Sequence, residues 1–425
     1  MYLKMKKIAI VFTIFLLAQS AIGAEQLTLK TCQERAKINF PMIKQLALLE
    51  QTTRFNLENA NNGYLPQLTL SAKATYQSQV TQLPFTLPNM TVPSLSKDQY
   101  QAVLEASQIL WDGGLIAAQK KQTLSSFEME KQKIEVDLFA LNERVNQLFF
   151  GILLLSEQIS QNLILQNELT TNYNRVAAYK KNGIANQSDL DAIKVEQLNS
   201  YQRETELKST RKGYCAMLSV LTASSITEQT ELTKPETGDL VLTEIKNKRP
   251  ELGLFDAQFK MYDSQKQLIK SGDLPKLALF AQAGYGRPGL NMLTNEFSDF
   301  YIGGVRFSWN ISGLYSQRNN LNKIEINKKT VELQKETFLL NNNIITKQQL
   351  SEIEKLQSIL TKDDEIIRLR TNIKKAADVK LENGTITIND LIREINAENQ
   401  AKQMKALHQI QLIMNVYQLK NNNNN

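Results

Sequence analysis

The stretch LTLSAKATY, Leu68–Tyr76, alternates apolar and polar side chains at every step. Leu68, Leu70, Ala72, Ala74 and Tyr76 fall on one face of an extended chain, and Thr69, Ser71, Lys73 and Thr75 on the other. That is the period of a β-strand with one apolar and one wet face. The segments around it carry helical spacing instead, so this strand sits among long helices.

The stretch is also written twice. GYLPQLTLSAKATY at Gly63–Tyr76 returns as GDLPKLALFAQAGY at Gly272–Tyr285, with Gly, Leu, Pro, Leu and Tyr in register. Internal repetition of this kind defines the architecture before any single element does. Each copy runs into an irregular connection, TQLPFTLPNMTVPSLSKD (Thr81–Asp98) or RPGLNMLTNEFSD (Arg287–Asp299), and then into a second alternating strand. In the second copy Leu277, Leu279, Ala281, Ala283 and Tyr285 oppose Lys276, Gln282 and Gly284. On its return strand Tyr301, Val305, Phe307 and Trp309 oppose Arg306, Ser308 and Asn310, and in the first copy Glu105 and Ser107 take the polar side.

The pattern predicts four strands, at about 65–80, 99–111, 274–287 and 300–311, each long enough to cross a bilayer when tilted. Lys73, Glu105 and Arg306 are the candidate water-facing positions. Backbone groups in hydrocarbon must all be paired, so membrane strands need a closed barrel. The smallest natural membrane barrels have about eight strands, so four would have to be shared among copies of the chain. An ordinary antiparallel sheet with one solvated face fits the alternation equally well.

The rest reads as helix. Phe127, Ile134, Leu141, Leu148, Leu155, Leu169 and Val176 recur on a seven-residue period, with a second series at Leu124, Leu138, Val145, Ile152 and Ile159. Ile324, Val331, Phe338, Ile345, Ile359, Ile366 and Ile373 repeat the period in the second copy. These are coiled-coil seams. They predict proline-free helices at about 114–181 and 314–381, each roughly 100 Å long.

YKKNGIANQSDLDAI (Tyr179–Ile193) and VKLENGTITINDLIREI (Val379–Ile395) end these helices with Asn-Gly turns. Ser188 and Asn389 are the candidate caps of returning helices at about 188–222 and 389–419. The organisation that follows is a leader at 1–24, a first repeat at 25–222, a polar linker at 223–240, a second repeat at 241–420 and a disordered poly-Asn tail at 421–425.

MYLKMKKIAIVFTIFLLAQSAIGA, Met1–Ala24, has the basic start, short apolar run and small residues of a secretory signal, with cleavage predicted near Gly23 or Ala24. Beyond it no segment has the unbroken apolar length of a membrane helix, so any crossing falls to the strands. A formal net charge of +7 over 425 residues implies no nucleic-acid partner. Cys32 and Cys215 are the only cysteines, and either a disulfide or two thiols is compatible with export. The one histidine, His408, reads as a packing or surface residue, and no His or Cys cluster has metal-ligand spacing. No glycine-rich phosphate loop follows a strand. No catalytic activity and no cofactor is therefore expected.

The chain resembles the TolC-like outer membrane efflux proteins. The likeness rests on LPQL and LPKL before the first strand of each copy, on LWDGGLIAAQ (Leu110–Gln119) and SWNISGLYSQ (Ser308–Gln317) at the strand-to-helix passage, and on the Asn-Gly turns followed by Asp-Leu. It implies a mostly α fold with transmembrane β-hairpins, and a homotrimer in which twelve strands form a barrel in outer membrane lipid above an α-helical periplasmic tunnel. It also implies a periplasmic adaptor (membrane fusion) protein and an inner-membrane transporter of RND or ABC type as partners, with the chain a passive conduit for efflux or type I secretion. By the same resemblance Asp189 and Asp390 match the family's acidic gate constriction; an Asp in the first turn of a helix equally serves to stabilise the helix dipole. Arg393 stands where many members carry a second Asp, and Leu381 where a tyrosine is often found. Asn182, Gly183, Ile184, Asn383, Gly384 and Thr385 match the adaptor-docking turns. The competing reading is a secreted coiled-coil scaffold for structural or adhesive work, with no channel.

Overall fold

The computed structural model describes residues 27–81, 94–236 and 247–423. The leader at 1–24, the middle of the first hairpin connection, residues 237–246 and the last two asparagines lie outside the described residues. The chain is mostly helical with one small sheet. In order it forms α1 (Leu29–Asn39), α2 (Ile43–Asn61), a short 3-10 turn (Asn62–Tyr64), β1 (Gln67–Tyr76), β2 (Asp98–Trp111), α3 (Leu115–Lys181), α4 (Gln187–Thr222), α5 (Pro250–Gly272), β3 (Lys276–Arg287), β4 (Ser298–Ser308), α6 (Gly313–Glu382) and α7 (Ile388–Asn423). Two compact units divide it: Lys44–Val136 with Pro250–Phe338, and Met1–Ile43 with Asp137–Arg249 and Leu339–Asn425.

The first unit holds the sheet. Its strands are antiparallel in the order β1-β2-β3-β4, which leaves β1 and β4 as open edges among the described residues. The strand-to-helix corner is built by WDGG: Gly113 and Gly114 take φ of +70° and +79°, which favours glycine. Asp112 then accepts from the backbone N–H of Gly114 at 2.8 Å and of Ile116 at 2.6 Å, capping α3. Between α5 and α6 run ion pairs Lys266–Glu325 (2.6 Å), Lys328–Asp263 (2.9 Å) and Lys335–Asp256 (2.9 Å), and Phe255 packs on Phe338 at 5.9 Å between ring centroids.

Among the described residues the second unit is helix and loop, apart from one isolated bridge. Leu29, Cys32 and Ala36 of α1 join Val145, Phe149 and Ile152 of α3, Leu218 of α4 and Ile410 of α7 in one core. Both cysteines are free and buried there. Burial pushes the Cys32 thiol up to about 11, against the pull of Arg35, and raises that of Cys215 as well. Part of the segment read as a linker belongs to this core. Ile226 is buried in it and Leu232 makes a parallel bridge with Leu27. α3 also contains a window apolar enough by composition to span a membrane, which corrects the sequence expectation. Phe149, Phe150, Ile152 and Leu153 are buried in protein, which accounts for apolar character in this helix.

Two further expectations change. The seam on α6 holds at Ile324 and Val331, but Ile345, Ile366 and Ile373 are exposed while Asn342, Ile353, Leu356, Asp363 and Ala377 are buried. The heptad has slipped by four residues, a stutter, close to where the chain passes from one unit to the other at Phe338. The poly-Asn tail begins as helix: α7 runs through Asn423, Asn422 donates to Thr346 Oγ1 at 3.2 Å, and Asn423 donates to the Leu419 carbonyl at 3.0 Å.

Candidate functional site

Pairing register sorts the strand residues into two faces. Lys73 pairs with Gln101, Thr69 with Glu105, Glu105 with Gln282 and Ala278 with Arg306. Directly paired residues share a face and so do residues two apart, so Lys73, Glu105 and Arg306 stand on one side of the sheet. Glu105 ties that side together, accepting from Arg306 Nη1 at 2.8 Å and from Gln282 Nε2 at 2.6 Å. Arg306 also lies over the Phe280 ring, 4.6 Å from its centroid.

The opposite side carries Leu68, Leu70, Leu104, Leu279, Val305 and Phe307, and it is bare. Leu70 is 77% exposed, Leu104 49% and Tyr301 85%. Along β2 and β3 the apolar-face positions Tyr100, Ala102, Leu104, Ala281 and Ala283 are exposed while the polar-face positions between them are partly covered. This is the reverse of a soluble sheet, in which the apolar face is the covered one. Aromatic side chains mark its two ends. Tyr76, Tyr100, Tyr285 and Tyr301 stand toward the hairpin connections, with Phe297 stacked on Tyr285 at 5.6 Å and Arg287 over both Tyr100 and Phe297. Trp111 and Phe307 stand at the helix end, and the exposed Trp309 follows just past β4.

Strict alternation would have put Trp111 on the wet face. A register shift between Ile109 and Trp111 pairs Trp111 with Leu277 instead and turns it to the apolar side, as β-bulges do. The wet face is also less polar than the sequence implied. Phe300 lies in the space that a Cβ on Gly284 would occupy, and Phe280 lies against Gly304. Each ring covers a cross-strand glycine. The signal for both was available, since Gly284 and Gly304 interrupt otherwise regular strands.

In the helical unit the two tip turns share one geometry. Gly183 and Gly384 have φ of +73° and +67°. Ile184 N–H bonds to the Tyr179 carbonyl at 2.9 Å and Gly183 N–H to the Lys180 carbonyl at 3.0 Å. Thr385 N–H and Gly384 N–H bond in the same way to Lys380 and Leu381, both at 2.9 Å. Both are Schellman closures. Asn383 and Thr385 side chains add bonds to the Val379 and Lys380 carbonyls at 2.9 Å each. Asn182 and Ile184 are exposed, Ile184 at 70%.

The caps lie two residues earlier than Ser188 and Asn389. Asn186 accepts from Asp189 N–H at 3.1 Å while Asp189 accepts from Asn186 N–H at 2.9 Å. Thr387 accepts from Asp390 N–H at 3.2 Å, and Asp390 Oδ2 accepts from Thr387 N–H at 3.1 Å and its hydroxyl at 2.7 Å. These are two capping boxes with aspartate in the reciprocal place. Both tip carboxylates are therefore held within their own helix starts. Hydrogen bonds from the Thr387 hydroxyl and N–H, with help from Arg393, hold the Asp390 carboxyl below its usual range. Arg393 pairs with Asp390 at 3.2 Å and Glu394 at 3.6 Å, and Glu394 with Arg370 of α6 at 3.4 Å. Leu381 is buried with Leu391, Ile392 and Val176 in the core beneath the turns. His408 pairs through Nδ1 with Asp363 at 2.7 Å. Among the described residues no group of three or more His, Cys, Asp or Glu could hold a metal.

Comparison with solved structures gives the architecture a precedent. OprN, described as an outer-membrane channel, matches at a TM-score of 0.69 with 13% identity, over 93% of this chain and 89% of that one. The fold is that of outer-membrane channels. The CmeC outer membrane channel of Campylobacter jejuni matches at a TM-score of 0.66 with 14% identity, over 93% of this chain and 85% of that one. CusC, described in terms of transmembrane channel formation, matches at 0.68 with 13% identity, over 93% and 91%. No protein-family model matches the sequence, and no curated protein matches it. At these identities the likeness is one of fold, and it agrees with the fold that the TolC-like resemblance implied.

Proposed function

We propose that the protein is the outer-membrane channel of a tripartite export system, a passive trimeric conduit in the bacterial outer membrane that extends into the periplasm. The observation that carries this reading is the inside-out sheet, with its apolar face bare and both edges open. About ten residues at roughly 3.3 Å each, tilted about 40°, rise roughly 25 Å, the height of a barrel's apolar band. The aromatic groups at both ends of the apolar face stand where interfacial belts stand. Three copies would supply twelve strands and leave no edge unpaired.

Unpartnered apolar positions in the helical unit favour the same assembly. Ile366, Leu369 and Ile373 of α6, and Val195 and Leu198 of α4, are exposed at coiled-coil spacing, and neighbouring copies are their natural cover. The tip turns Asn182–Ile184 and Asn383–Thr385 would dock a periplasmic adaptor that couples the conduit to an inner-membrane transporter of RND or ABC type. At the constriction, Asp189 and Asp390 with Arg393 would form a ring of mixed charge rather than an acidic one.

Fractionation, detergent extraction and planar-bilayer recording test the reading together. A detergent-stable trimer from the outer membrane that conducts ions is the expected result. A monomer released without detergent and silent in a bilayer would establish the scaffold reading instead.

A further inference from the structure

The two faces of the sheet differ in charge as well as in polarity. Within the four strands the polar face carries Lys73, Lys276 and Arg306 against a single acid, Glu105. Arg306 and Glu105 neutralise each other at 2.8 Å. Lys73 and Lys276 make no ion pair among the described residues, and every acid of the strands other than Glu105 lies on the opposite face: Asp98, bound to Arg287, and Asp299. Lys73 is level with Gln101 and Gly286, near the hairpin end, and Lys276 is level with Ser308 at the helix end. Within the strands neither level holds a counter-charge; Asp112, just past the end of β2 near the Lys276 level, is engaged in capping α3. Lys73 itself is exposed on the edge strand β1.

We infer that the barrel lumen is an anion-collecting surface, two rings of unpaired lysine with a neutral Arg306–Glu105 belt between them, and that the outer segment of the conduit favours cargo carrying net negative charge. The inference rests on the proposed trimeric barrel, in which each lysine becomes a ring of three. Rings of like charge in a confined pore concentrate counter-ions and repel co-ions. The effect reaches about 10 Å at 0.1 M salt and about 3 Å at 1 M, so it is strong in dilute electrolyte and faint in concentrated electrolyte. The Arg306–Glu105 pair contributes no net field, so the lysines decide the sign.

The test uses the full-length trimer in a planar bilayer, with inositol hexakisphosphate as a compact polyanion added to each side in turn. In 0.1 M KCl the polyanion should reduce the current when added to the barrel side. Lys73→Gln combined with Lys276→Gln should weaken that block about tenfold, and 1 M KCl should abolish it in the parent protein. Lys73→Glu should move the reversal potential in a KCl gradient toward potassium. Lys73 is exposed and Lys276 half-buried, both on the polar strand face, and trimer yield in detergent checks that the substitutions are tolerated. A conducting trimer whose block and reversal potential ignore both lysines overturns the inference and leaves the channel reading intact. Absence of any conductance overturns both.

Discussion

Lys374 of α6 and Glu398 of α7 meet at 2.7 Å in the interior of the helical unit, where the Glu398 side chain is only 3% exposed. The pair is not alone. Lys374 also binds Glu168 of α3 at 2.6 Å, while Thr371 and Lys402 donate to Glu398 at 2.6 and 2.9 Å. Three helices are joined by one charge cluster below the tip turns. A buried ion pair gains little over apolar packing, but removing one member leaves the other stranded.

Glu398→Ala is therefore expected to destabilise the helical unit by about 3 kcal/mol, read as a lower melting temperature. Glu398→Gln should cost less, because the amide keeps the shape of the side chain and its oxygen can still accept from the Thr371 hydroxyl, as Glu398 does at 2.6 Å.

The same carboxylate sets a pH dependence. Burial works to raise its pKa, but bonds from Lys374, Thr371 and Lys402 overcome it and hold the group at about 2, against an ordinary 4.5. A depressed folded value stabilises above the unfolded pKa and is lost as pH falls toward the folded one. The melting-temperature gap between the parent protein and Glu398→Gln should be full at pH 7 and shrink between pH 4.5 and 2. A gap that is constant over that window would show that the charge is not what the cluster uses.

At the tips, a Cβ added to Gly183 or Gly384 would meet nothing within 4 Å, so any cost of substitution is backbone alone. Gly183→Ala and Gly384→Ala should each cost about 1 kcal/mol through the left-handed conformation. Hydrogen exchange at the Ile184 and Thr385 amides should speed up, with the buried core beneath unaffected. Asn186→Ala and Thr387→Ala should likewise cost about 1 kcal/mol each. Ser188→Ala and Asn389→Ala should cost much less, since neither supplies the cap.

How much of this was legible depended on whether the signal was local. Alternation from Leu68 to Tyr76 marks a strand because side-chain direction in a strand follows sequence parity, and β1 occupies that stretch. The bulge that turns Trp111, and the rings laid over Gly284 and Gly304, depend on the partner strand, which parity does not contain. Asn186 and Ser188 are equally good caps by residue type, and the Asn186 N–H donating to the Asp189 carboxylate separates them. On α6 the apolar heptad of the sequence continues past Phe338, but the buried face there shifts to other positions. At the tip, residue type alone does not separate a gate carboxylate from one that stabilises a helix start, and the bonds of Asp189 and Asp390 are those of helix caps.

The bare apolar face gives the sharpest prediction. Leu70 and Ser71 are adjacent in β1 and both exposed, so a soluble sheet would accept arginine at either place at almost no cost. In a membrane barrel they face different media. Leu70 would be in hydrocarbon, where an arginine near the midplane costs about 2–4 kcal/mol, while Ser71 would face the lumen. Leu70→Arg and, on β2, Leu104→Arg should reduce assembled trimer in the outer membrane several-fold, whereas Ser71→Arg should assemble like the parent. The measurement is the ratio of heat-stable trimer to monomer in membrane fractions. Equal assembly of Leu70→Arg and Ser71→Arg would mean that water, not lipid, covers the apolar face.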